Sequence, residues 1–164
     1  MFERFGDLPL HVLVIHLAVV ALPIAALTLI VFAVVPRWRW FLRWPALVLG
    51  LGALVCAFVA KKSGEAFVAA VPSLQQPIKL HEDRGNLLFW FCLAFAVIAV
   101  IAVLMLSGPS SLASGKGAKA TKSRPLELLT SAAVVVIGVL VIYQTIRTGD
   151  AGAKTVWDGQ LPPK

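Results

Sequence analysis

Few side chains in this 164-residue sequence can do chemistry, and they stand near the ends of apolar runs: His11, His16 and His81, with the carboxylates of Glu65 and Asp150. Imidazole suits iron, copper and zinc, and a carboxylate either ligates beside it or orients its ring N–H. Histidines from two different helices can also form the axial pair of a b-type haem. The set therefore points to a haem b or a transition metal. His11, His16 and His81 are the candidate cofactor ligands, and His11, His81, Glu65 and Asp150 the candidate metal set. The competing account is structural: polar residues cap helix ends at a membrane surface, with Glu65 and Asp150 paired locally to Lys61, Lys62 or Arg147.

The elements that must position these residues follow from composition. Hydrophobic residues make up 59% of the chain and charged ones 14%, with a mean hydropathy of +0.88, more apolar than a soluble domain of this length can hide. Four apolar runs, about 8–35, 41–60, 87–106 and 128–147, carry the excess. Each is long enough to cross about 30 Å of hydrocarbon as a helix, and lipid satisfies no open backbone groups. The expected fold is all-α: a polytopic membrane protein whose four transmembrane helices form two fused antiparallel hairpins, a four-helix bundle in a single domain 1–164. The first run is too long for a secretory h-region and is expected to be retained. Asp7 before Leu8-Pro9 reads as its helix cap.

Between the spans, Pro36 to Pro45 mixes Arg and Trp and reads as an interfacial belt, with arginines toward lipid phosphates. After Lys61-Lys62, residues 66–71 form a short apolar piece expected along the surface, and the tail through Trp157 is expected to be irregular. Residues 107–125 read as a flexible basic linker. The net charge of +7 flanks the spans, which argues for a bilayer and against nucleic acid. Cys56 and Cys92 fall inside spans at similar depth and read as small buried side chains. No Cys-x-x-Cys pair, haem-attachment motif, phosphate loop or nucleophile with a base appears, so no independent catalytic activity is expected.

Depth ties the candidates together. Counting about 20 residues per crossing from the opposite membrane face, His11, His81, Glu65 and Asp150 lie roughly 4 to 9 Å outside the same boundary, with His16 just beneath them. His11 and His16 differ by five positions, about 140° around a helix, so the two do not chelate one ion from one face. The acid-free loops holding Arg37, Arg39, Arg43, Lys116, Lys119, Lys122 and Arg124 favour the cytoplasmic side, which turns both termini outward. The likeness of Ser63-Gly64-Glu65-Ala66 to Thr148-Gly149-Asp150-Ala151, each ending a hairpin entered by a histidine, suggests an internal repeat.

Leu8-Pro9-Leu10-His11 with His16, Ser63-Gly64-Glu65, His81 with Gly85, and Thr148-Gly149-Asp150-Ala151-Gly152-Ala153 with Val156-Trp157 resemble the bacterial four-helix membrane family catalogued as domain of unknown function 2231. Val12 and Asp150 depart from that pattern, in which proline usually follows the first histidine and a histidine often stands where Asp150 is. The resemblance implies a bacterial-type cytoplasmic (inner) membrane and an association with cytochrome-like modules. Two functions follow as expectations. One is a small haem- or metal-binding subunit associated with electron transfer. The alternative is a non-catalytic accessory subunit packed against other membrane-protein subunits of a respiratory-type complex.

Overall fold

The computed structural model describes residues 4–6, 8–74, 76, 78–106 and 124–157. Four helices dominate: α1 (Leu10–Val34), α2 (Arg39–Ala70), α3 (Lys79–Met105) and α4 (Arg124–Trp157). All four are long and apolar enough to cross a membrane. A two-residue antiparallel pairing of Arg4–Phe5 with Leu8–Pro9 precedes α1. Each helix packs against two neighbours in the cyclic order α1, α2, α3, α4, so α1 and α3 stand diagonally across the bundle. The chain is an all-helical, multi-pass membrane protein.

The helices outrun the apolar segments. α2 continues through Lys61-Lys62 to Ala70 with no break, so the apolar piece expected along the surface is the last turns of a membrane helix. α3 begins at Lys79, well before its span, and α4 extends to Trp157 where an irregular tail was expected. Hydropathy marks where lipid begins, whereas backbone hydrogen bonding continues wherever no residue interrupts it. Pro72 marks the end of α2, opening a 3-10 turn, Pro72–Leu74, after Val71. At the start of α1 the cap position is Pro9, with no side-chain hydrogen bond. Asp7, residues 107–123 of the expected linker and the residues after Trp157 lie outside the described residues.

Small residues set the packing. Without water between them, membrane helices associate through close van der Waals contact, which alanine and glycine permit. Ala25, Ala26, Ala46, Ala53, Ala96, Ala99 and Ala102 are buried around Phe32, Phe95, Leu22 and Leu29. Gly50 faces α3 so closely that an added methyl carbon would lie 2.8 Å from Ala99 Cβ, and one on Gly138 would lie 2.8 Å from Ile30 Cδ1. Buried hydroxyls return to their own helices: Thr130, Thr145 and Thr148 each donate to a carbonyl one turn back.

At the end of the bundle away from the histidines, Arg39 is buried and turned inward, although the sequence places it in a phosphate-facing belt. Its guanidinium donates to Phe32 O at 3.2 Å and Ala33 O at 2.8 Å, and lies 3.7 Å from Glu127 of α4. Those carbonyls end α1 and have no partner within the helix. Trp38, Trp40 and Trp44 are exposed, as an interfacial belt requires.

The two hairpins share one burial pattern. Buried Leu22, Ala25, Ala26, Leu29, Phe32 and Ala33 of α1 match buried Cys92, Phe95, Ala96, Ala99, Ala102 and Val103 of α3 in a single register that also matches His11 to His81. Ala46, Gly50, Ala53, Ala57 and Ser63 of α2 match Val134, Gly138, Val141, Thr145 and Ala151 of α4. In that register Ser63 corresponds to Ala151 and Gly64 to Gly152. The Ser-Gly-Glu-Ala and Thr-Gly-Asp-Ala likeness is therefore one helical turn out of step with the packing.

Candidate functional site

His11, in the first turn of α1, is half-buried and reaches across to α2. Its Nδ1–H donates to Ala60 O at 3.1 Å, with Ser63 Oγ at 3.2 Å. His81, near the start of α3, makes the corresponding reach to α4, where Nδ1–H donates to Thr148 O at 2.9 Å. In each case the residue four positions past the accepting carbonyl is a glycine that lies under the ring. An added Cβ on Gly64 would stand 3.1 Å from His11 Cε1, and one on Gly152 would stand 2.9 Å from His81 Nδ1. The carbonyl holds the ring and the missing side chain makes room for it. Two half-buried imidazoles are thereby held at the same end of the bundle.

Across the diagonal the two rings meet edge to face, with centroids 6.1 Å apart and planes 75° apart. Phe67 also stacks on His11 at 6.4 Å, on one of the turns by which α2 outruns its span. With a proton on Nδ1, the Nε2 of a neutral imidazole is a free lone pair, the form in which histidine binds a metal. The hydrogen bond from Nδ1 to a carbonyl is the usual outer partner of such a ligand.

The other sequence candidates lie elsewhere. His16 is exposed, and its Nδ1–H donates to Val12 O of its own helix at 2.6 Å. Its ring faces away from the bundle, as its spacing from His11 requires. Glu65 is exposed and pairs with Lys62 at 2.7 Å. Asp150 is exposed and pairs with Lys154 at 3.0 Å and Arg84 at 3.7 Å, not with Arg147. The carboxylates share the depth of the histidines but not their face. Gly64 lies against His11, so Glu65, one residue on, is turned by about 100°; Asp150, two residues before Gly152, is turned by about 200°. Among the described residues, no group of three or more His, Cys, Asp and Glu side chains could hold one metal ion.

Three residues beside the imidazoles are not among the sequence candidates. Ser63 is fully buried against His11. Arg84 donates to Arg147 O at 2.8 Å, and buried Gln144 donates to Arg84 O at 3.0 Å, which cross-links α3 and α4 next to His81. A polar residue one helical turn past a span's end, followed by glycine, was the signal available for Ser63.

No curated protein and no solved structure matches this chain. A family model does, over residues 7–162, and its description is a predicted membrane protein. With that match covering nearly its whole length, the chain belongs to the DUF2231 family.

Proposed function

We propose that the protein binds one transition-metal ion between His11 and His81, either bare or as the iron of a haem b, at the outward-facing mouth of the bundle. The observation that carries this reading is the paired geometry: both Nδ1 atoms donate to main-chain carbonyls, and the rings stand 6.1 Å apart. Two imidazoles sharing one ion at about 2.0–2.1 Å from each nitrogen have ring centres roughly 5–6 Å apart. Either source of metal uses the same two lone pairs. An iron or copper ion held there exchanges electrons with a partner at the membrane surface, whereas zinc does not. Glu65 and Asp150 enter only as charges close to the mouth, already engaged with lysines. The outward orientation, with both termini outside the cytoplasm, draws its support from the arginines of the loop joining α1 to α2.

Metal content and the optical spectrum of detergent-purified full-length protein test the proposal and separate its two forms. A Soret band identifies haem, and a stoichiometric metal without one identifies a bare ion. Either signal should weaken in His81→Ala and in His11→Ala and be lost when both are replaced. A colourless, metal-free protein that also fails to take up added haem or Co²⁺ contradicts the reading.

A further inference from the structure

The mouth of the bundle offers an ion two neutral nitrogens and no anion. Both Nδ1 atoms donate to main-chain carbonyls, so each ring has only Nε2 left to ligate. Among the described residues, the carboxylates at this end, Glu65, Glu82, Asp83 and Asp150, are exposed, and three of them pair with lysines. Among the same residues, no third His, Cys, Asp or Glu completes a metal-holding group with the two rings. The ring of Phe67, stacked on His11, adds an apolar neighbour.

Ring spacing separates the coordination geometries. Imidazoles that share an ion about 2.0 Å from each nitrogen have centres roughly 5 Å apart when the bonds meet at a tetrahedral angle, and roughly 6 Å apart when the nitrogen–metal–nitrogen line is straight. The observed 6.1 Å lies at the straight end of that range. A straight line also leaves the rings free to turn about it, and they are crossed at 75°.

We propose that the ion held between His11 and His81 is bare monovalent copper in a nearly linear, two-coordinate arrangement. Desolvating an ion costs in proportion to the square of its charge, so a half-buried site with no anionic ligand takes one charge far more readily than two. Zinc calls for four ligands in a tetrahedron and divalent copper for a tetragonal set. Cu(I), with a closed d shell, is satisfied by two nitrogens in line. The pair thus selects its ion by charge and by ligand number together.

The inference rests on the metal site proposed above and narrows it to one ion. Metal-free full-length protein in detergent is titrated with Cu(I) without oxygen, against a chromogenic Cu(I) chelator, and separately with Co²⁺ and with haem b. One Cu(I) per chain should bind at least about a hundredfold more tightly than Co²⁺, because ligand number and charge both favour it. X-ray absorption of the copper-loaded protein should show the edge feature of linear Cu(I) with nitrogen neighbours, kept in His16→Ala and lost in His11→Ala. Co²⁺ bound as tightly as Cu(I), haem taken up instead of copper, or copper with four neighbours overturns the inference while leaving the shared site of His11 and His81 standing. A sulfur shell would place the copper on Cys56 and Cys92 and overturns it too. Protein that takes up none of the three overturns the site itself.

Discussion

Gly152 lies directly beneath the ring of His81, so that a methyl carbon added there would stand 2.9 Å from Nδ1. The glycine and the histidine form one device, and Gly64 with His11 is its counterpart on the other hairpin. Gly152→Ala should push the ring off Thr148 O, abolish the Nδ1 hydrogen bond and remove metal binding while the bundle still folds. Gly64→Ala, whose added carbon stands 3.1 Å from Cε1, should weaken binding less. Histidine ring ¹⁵N shifts and Co²⁺ titration of the two variants check the order.

Packing between hairpins should be sensitive at Gly50. Its added methyl would meet Ala99 Cβ at 2.8 Å, and a Cβ cannot swing away, so the helices must part. Gly50→Ala should cost about 1–3 kcal/mol. Gly138→Ala should cost less, because it meets the flexible end of Ile30. Gly52→Ala, with nothing within 4 Å, should be neutral or stabilise by up to about 1 kcal/mol. Reversible unfolding in mixed detergent micelles ranks the three.

Arg39 should matter more for stability than its place in a surface belt suggests. Replacing it by leucine leaves the last carbonyls of α1 and the carboxylate of Glu127 without the guanidinium, at a cost of about 2–4 kcal/mol. Glu127→Gln removes only a partly exposed charge partner and should cost under about 1 kcal/mol. Thermal unfolding of the two variants distinguishes the carbonyl cap from the ion pair.

The exposed pairs Lys62–Glu65 and Lys154–Asp150 should contribute little. Glu65→Gln and Asp150→Asn are each expected to change stability by under about 1 kcal/mol and to leave metal content unaltered. A loss of metal in either variant would place its carboxylate in the site.

The membrane spans were legible in the sequence because about 20 consecutive apolar residues have few other uses. Where the helices end was not, since Lys61 to Glu65, Lys79 to Asn86 and Arg147 to Trp157 are polar enough to look like loops yet break no backbone hydrogen bond. Depth alone set His11 level with His81, because rise per residue is fixed. It also set Glu65 and Asp150 level with them, and there it misled, because depth says nothing of rotation about the helix axis. Rotation was written in the glycines: Gly64 and Gly152 each stand four residues past a carbonyl that holds a ring. Arg39 was misread for a related reason, as charge beside tryptophan signals an interface without saying which way the side chain turns.

The central claim is that His11 and His81 hold the same ion. X-ray absorption at the metal edge of the loaded, full-length protein reads that shell directly. Two imidazole nitrogens at about 2.0–2.1 Å are expected, falling to one in His11→Ala and unchanged in His16→Ala. A metal shell with no imidazole, or one identical in His11→Ala and the unaltered protein, would contradict it.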